Sequence, residues 1–251
     1  MPLPVPCYLL SDAHLGAAPP ETERDLLAFL RRFPDDGRAL VINGDLFDFW
    51  FEWRHVVPRA GVRVLGELAR LRDGGLPILW IAGNHDCWGG EILRKDLGLD
   101  YHVGPWRGKI GDWDTLIEHG DGLRDREDAP YRRLRAVIRH PLAVRAYRWL
   151  HPDWGTALAL RSSHTSRNMR PRDGGEGLRR VAGERLSDAN GPDLLVFGHS
   201  HLQTLERVGR GIFANPGAWI DAPTLLRIGE RGVELRRVEQ GATNVLSSLS
   251  R

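Results

Sequence analysis

An α/β fold whose loops gather at one sheet edge is predicted for this 251-residue chain. Two observations predict it. Short apolar runs alternate with stretches of helical periodicity, and each apolar run ends in a cluster of Asp, His or Asn. Residues 8–10 are the first such run. They end at Ser11-Asp12 and read as a buried strand delivering polar side chains at its C-terminal end. Pro20 then opens a helix with Leu26, Leu27, Leu30 and Phe33 at helical spacing. Residues 39–42 form a second buried strand, ending at Asn43-Gly44-Asp45. Val64, Leu65, Leu68 and Leu71 mark the next helix, which Gly74-Gly75 stops. Residues 78–82 form a third strand, ending at Gly83-Asn84-His85-Asp86.

Further on, residues 113–118 lead into His119-Gly120-Asp121, and 194–197 lead into Gly198-His199-Ser200-His201. From 202 to 238 short β-like runs alternate with Gly and Pro turns, of which Asn215-Pro216-Gly217 is the strongest. Between 123 and 192 the pattern turns helical, over 131–150, 156–166 and 177–190, with Pro152 and Pro171 as breaks. The expected organisation is one domain over 1–240, with a helical insertion at about 124–190 covering the loop edge. The small, polar residues at 241–251 are expected to form a frayed, flexible tail.

Hydrophobic residues make up 41% and charged residues 27% of the chain, as in an ordinary globular protein. The formal net charge is only +2, but it is unevenly spread. Residues 124–180 hold 14 Arg against 6 acidic residues, so the insertion is cationic and suits an anionic partner. Charge alone is weak grounds for nucleic-acid binding, and nucleic acid is not the expected partner. Cys7 and Cys87 form no ligand-spaced pair, which suggests a reducing compartment. No run reaches the ~18 apolar residues of a membrane span, and the first ten residues lack the pattern of a secretory signal. Cytoplasmic residence is expected, with peripheral attachment to a membrane surface compatible. Oligomeric state leaves no mark on the sequence.

Five clusters hold nearly all the polar residues of interest: Asp12-x-His14, Gly44-Asp45, Gly83-Asn84-His85-Asp86, His119-Gly120 and Gly198-His199-Ser200-His201. Asp, His and Asn suit divalent metals of borderline hardness. Side chains two apart on an extended segment point the same way, so Asp12 with His14, and His199 with His201, can face one centre. Any one of these clusters alone is commonly a turn or a capping pair. All five in this order at strand ends make coincidence improbable.

In combination these motifs resemble the calcineurin-like metallophosphoesterase superfamily. The resemblance implies an α/β/β/α sandwich of two mixed sheets, with the helical insertion over the active site, and two divalent ions, expected to be Mn²⁺. Motif by motif, it implies that Asp12, His14 and His201 hold one ion, that Asn84, His119 and His199 hold the other, and that Asp45 bridges both. His85 then contacts the phosphoryl group or protonates the leaving group, Asp48 orients His85, and Asp86 is structural.

Within the superfamily the chain is most similar to the pyrophosphatases that cleave UDP-2,3-diacylglucosamine in lipid A synthesis. The matching stretches are residues 44–50, residues 119–123 and Gly217-Ala218-Trp219, with a helical insertion placed before Gly198. That similarity implies a nucleotide-linked acylated sugar as substrate and peripheral contact with the inner membrane surface. Arg124, Arg161 and Arg167 are offered for anionic groups, and Asp128, Asn168, Asn84, His85 and His199 as further substrate contacts. Trp149, Leu150, Trp154, Leu158 and Leu160 are offered for acyl chains. The best-known enzymes of this type carry Arg where this chain has His85. Two alternatives are therefore kept: a metallophosphoesterase acting on another phosphodiester, nucleotide or phosphoprotein, and a non-catalytic scaffold.

Overall fold

The computed structural model describes residues 2–168 and 173–251, and for 162–168 the description is of the backbone alone. In chain order the elements are β1 (Cys7–Leu10), α1 (Pro20–Arg31), β2 (Ala39–Asn43), α2 (Val62–Asp73), β3 (Ile78–Ile81), β4 (Asp100–His102), β5 (Trp106–Ile110) and β6 (Trp113–Ile117). Then come α3 (Ala129–Ile138), α4 (Pro141–Tyr147), α5 (Pro152–Asn168), α6 (Glu176–Ser187) and β7 (Leu194–Val196). The chain closes with β8 (Thr204–Val208), β9 (Gly211–Asn215), β10 (Thr224–Ile228), β11 (Gly232–Glu239) and β12 (Ala242–Ser250).

Two mixed sheets result. One has the order β12-β11-β10-β1-β2-β3-β4 and the other β5-β6-β7-β9-β8. β1 is buried on both faces, so every residue in it is apolar, and period-two alternation sorts them. Cys7 and Leu9 join Val41, Ile81, Ile117, Val196 and Ala214 in a core between the sheets. Tyr8 and Leu10 face the other way and pack with Leu26 and Leu30 of α1 and with Val64 and Leu68 of α2. On the far side, Leu178, Ala182 and Leu186 of α6 cover Leu195, Phe197 and Phe213. The layers are thus α/β/β/α.

β1, β2 and β3 run parallel, as do β6 and β7, so five strand ends open on one edge. The two sheets are tied together there by the Asn43 side chain, which donates to the Glu118 carbonyl at 3.3 Å. Within the second sheet the Gly198 N–H continues the β6–β7 pairing by donating to the His119 carbonyl at 2.9 Å.

Three expectations are corrected. The 241–251 segment is not frayed: β12 pairs with β11 along most of its length. Its ladder hydrogen bonds hold it although most of its side chains are exposed. The insertion is also shorter than 124–190, because α6 is a core helix of the outer layer. The expected helix over 131–150 is broken into α3 and α4 at Pro141, which cannot donate its backbone hydrogen bond.

A candidate dinuclear metal centre

The backbone does unusual work at the open edge. Asp12, His14, Asp45, His199 and His201 all lie in the left-handed region, with φ between 46° and 62°. Only Gln240 joins them among the described non-glycine residues. Such conformations cost on the order of 1–3 kcal/mol each and persist where the surroundings over-determine them. Here the over-determination is visible. Asp12 N–H donates to the Gly44 carbonyl at 3.1 Å and His14 N–H to the Asp45 carbonyl at 2.9 Å. The Asp12 Oδ2 accepts from the Ser11 hydroxyl and, at 3.1 Å, from the His199 N–H.

The imidazoles converge on two carboxylate oxygens. Asp45 Oδ1 is fixed by the His85 N–H at 2.9 Å. Its Oδ2 faces His119 Nε2 at 3.2 Å, His14 Nε2 at 3.8 Å and His85 Nε2 at 3.9 Å. Asp12 Oδ1 faces His201 Nε2 at 3.4 Å and His14 Nε2 at 3.9 Å. Asp12, His14 and His201 thus form one compact donor group, Asp45, His119 and His199 a second, and His14, Asp48 and His85 a third.

The residues fit divalent cations. Asn84 Oδ1 and His199 Nδ1 are buried with no hydrogen-bond partner among the described residues, which is rare for buried polar atoms. Burial works against the Asp45 carboxylate, yet His119, His85 and His14 hold its pKa well below the usual range. Burial likewise disfavours charge on His119, but Asp45 and Asp12 hold its pKa well above the ordinary histidine value. The same carboxylates that favour a proton on His119 would favour a dication among them. Burial, then His119, push His199 down to about 4, which leaves a neutral imidazole ready to ligate. The His119 Nδ1 contacts the Asn43 carbonyl at 2.9 Å and the His201 Nδ1 contacts the Asp221 carboxylate at 2.7 Å. Both rings therefore turn Nε2 toward the centre, as metal-bound histidines do.

A family model described as calcineurin-like phosphoesterase matches residues 5–203. The chain belongs to the calcineurin-like phosphoesterase family. As a member it is a metal-dependent hydrolase. It is 35% identical to the UDP-2,3-diacylglucosamine hydrolase of Porphyromonas gingivalis over 78% of this chain and 82% of that one. It is 30% identical to the enzyme of the same name from Neisseria meningitidis serogroup B over 90% of this chain and 95% of that one. Among solved structures, the E. coli phosphoesterase Yfce shares the fold, with a TM-score of 0.50 and 15% identity over 97% of this chain and 98% of that one.

Other expected site residues of this phosphoesterase fall into place unevenly. The His85 Nδ1 is held by the backbone carbonyl of Asp48 at 2.8 Å. The Asp48 carboxylate is nearer His14 Nδ1, at 3.5 Å, than His85 Nδ1, at 3.9 Å. Its orienting influence is thus shared between the two rings and is greater on His14. Asp86 accepts from the Leu46 and Gly83 N–H groups at 2.9 and 2.8 Å and braces two ligand loops. Burial and the Asp45 carboxylate push its pKa up to about 7.

Arg124, offered for anionic groups, already has acidic partners within the protein. It is buried, pairs with Asp128 at 2.7 Å and reaches Asp173 at 3.1 Å. Arg124 and Asp128, both expected to meet substrate, engage each other. Arg161 is exposed on α5, and the side chains of Arg167 and Asn168 lie outside the described residues. Sequence reading passed over Asp221. Only the spatial neighbourhood reveals it: Trp219 N–H donates to the Ser11 carbonyl and Ile220 N–H to the Asp12 carbonyl, which carries Asp221 to His201.

Proposed function

We propose that this chain hydrolyses the pyrophosphate of UDP-2,3-diacylglucosamine, releasing UMP and 2,3-diacylglucosamine 1-phosphate. The observation that carries the chemistry is the convergence of four imidazoles on the facing carboxylate oxygens of Asp12 and Asp45. In this reading Asp12, His14 and His201 hold one ion, Asn84, His119 and His199 the other, and Asp45 both. Two divalent cations, Mn²⁺ by this reading, supply activation of water near neutral pH and neutralisation of charge on the phosphoryl oxygens when bound. In this reading the Asn84 amide and His199 also meet a phosphoryl oxygen. His85, with Nδ1 held by the Asp48 carbonyl, keeps Nε2 for a proton shared with the leaving oxygen.

The substrate follows from the relatives, whose similarity extends over most of both chains, and from the insertion. α4, α5 and the turn between them expose Leu142 at 70%, Trp149 at 86%, Trp154 at 74% and Leu158 at 58%, an unusual density of large apolar side chains for a water-facing surface. In this reading these residues meet acyl chains and the inner membrane surface, with Arg161 nearby for anionic headgroups. No described helix is long and apolar enough to cross a membrane. The test is product analysis with UDP-2,3-diacylglucosamine and Mn²⁺, with a chelated control. UMP is expected with metal and none after chelation. Intact substrate alongside hydrolysis of a simple diester would favour the second reading, another phosphoester, which His85 within Gly83-Asn84-His85-Asp86 suits.

A second expectation concerns the membrane face. Fully burying a large apolar side chain contributes roughly 1.5–3 kcal/mol. Trp149→Ala with Trp154→Ala should therefore weaken binding to phosphatidylglycerol-containing vesicles at least about tenfold, read by co-sedimentation. Wild-type protein that stays in the supernatant would remove the membrane contact and leave the hydrolytic reading intact.

A further inference from the structure

The second residue of the His119-Gly120-Asp121 motif beyond the histidine has so far had no part in the chemistry. Asp121 is buried, with 7% of its surface exposed. Its Oδ2 accepts from the Tyr131 hydroxyl at 2.7 Å, from Arg135 Nη1 at 3.2 Å and from Arg139 Nη2 at 3.2 Å. Its backbone carbonyl accepts from Arg135 at 2.9 Å. Residues 131, 135 and 139 recur at i, i+4 and i+8, so one face of α3 and its C-cap delivers all three donors. Arg139 also reaches the Gly83 carbonyl at 3.4 Å, one residue before Asn84. Arg132 extends the grip through the Gly122 carbonyl at 3.3 Å and the Arg124 carbonyl at 2.6 Å.

A single carboxylate therefore gathers the first helix of the insertion onto the two loops that bear His119 and Asn84. Charge-assisted hydrogen bonds of this kind are directional as well as strong. Around a buried acceptor they leave the helix little rotational freedom. Much of the arginine excess of the insertion is explained this way. At least three of its cations act on the protein's own carbonyls and carboxylate.

We propose that Asp121 is a positioning residue that holds the insertion, through Tyr131, Arg135 and Arg139, in register with the loops carrying His119 and Asn84. Substrate held by the insertion then meets the centre with its phosphorus in place. This rests on the reading of the insertion as the substrate-binding element. Displacement of a reacting group by about 1 Å can cost on the order of a hundredfold in rate.

The test uses Asp121→Asn, which keeps the shape and removes the charge, together with Arg139→Met and Arg139→Lys. Two substrates are compared, UDP-2,3-diacylglucosamine and bis(p-nitrophenyl) phosphate, which is too small to need the insertion. Asp121→Asn and Arg139→Met should lower kcat for the acylated substrate about a hundredfold with KM little changed, and for the small diester less than about threefold. Hydrogen exchange of the α3 amides should quicken at least about tenfold in both, with Mn²⁺ stoichiometry unchanged. Arg139→Lys should recover part of each effect. If Asp121→Asn fails to fold, the Arg139 pair carries the same comparisons. Unchanged α3 exchange, or equal loss on both substrates, would overturn the proposal and reduce Asp121 to a prop of His119. If the wild type leaves the acylated nucleotide intact, the substrate reading fails, and α3 exchange still decides the positioning role.

Discussion

Asp45→Ala is expected to lower turnover at least a thousandfold, an order of magnitude set by the loss of both ions' shared ligand. The Asp45 side chain places Oδ2 within 3.9 Å of three imidazoles and fixes the His85 backbone through Oδ1. Removing it leaves two groups of ligands with no common member. Cation repulsion between the two positions, which a shared anion screens, would then oppose double occupancy. The fold should persist, because β2 keeps its parallel ladders to β1 and β3 and the cores on both faces of the sheet are untouched. Initial rates on a chromogenic diester, metal stoichiometry by elemental analysis and a thermal melt read these three consequences separately. Residual turnover above about one per cent in metal-replete protein would exclude Asp45 from the shared position.

The gathering of these donor side chains was legible in the sequence because the candidate ligands sit at the ends of apolar runs, and strand-end placement is a local property. Asp12 follows β1, Asp45 follows β2, Asn84 follows β3, His119 follows β6 and His199 follows β7. What was illegible depends on pairing across the chain. Asp221 reaches His201 only because the turn before it hydrogen-bonds to Ser11 and Asp12, roughly two hundred residues earlier, a partnership no local pattern encodes. Arg124 looked like a cation for substrate because composition cannot say that Asp128, one helical turn on, and Asp173 take up its fork. β12 looked like a tail for a different reason. Its stability lies in backbone hydrogen bonds to β11, and its exposed side chains leave no apolar alternation to read. α6 was assigned to the insertion because a helical pattern does not announce whether its apolar stripe meets the sheet or a lid.

The glycines of the motifs divide on the same principle. A left-handed backbone accounts for Gly44, with φ 77°, but Gly83 and Gly198 are not in that region. Room is what they provide. A methyl group at Gly83 would stand 2.1 Å from Asp45 Oδ1 and 2.7 Å from the Asp45 backbone N. Neither neighbour can give way easily. Oδ1 holds the His85 N–H, Oδ2 faces the imidazoles, and the Asp45 backbone is already in the left-handed region. Gly83→Ala should therefore push the Asp45 carboxylate off its position although every ligand is retained. Overpacking of this kind costs about 1–3 kcal/mol in stability, and misplacement by about 1 Å costs on the order of a hundredfold in kcat. Gly66→Ala is the control. It lies in α2 with nothing within 4 Å of the added methyl, so it should raise stability by roughly 0.5–1 kcal/mol and leave turnover unchanged. Parallel melts, metal titrations and rates on the two variants separate a steric effect on the centre from a general effect of adding a methyl. Gly83→Ala protein with wild-type kcat and full metal occupancy would mean that the Asp45 carboxylate has freedom that His14, His85 and His119 deny it.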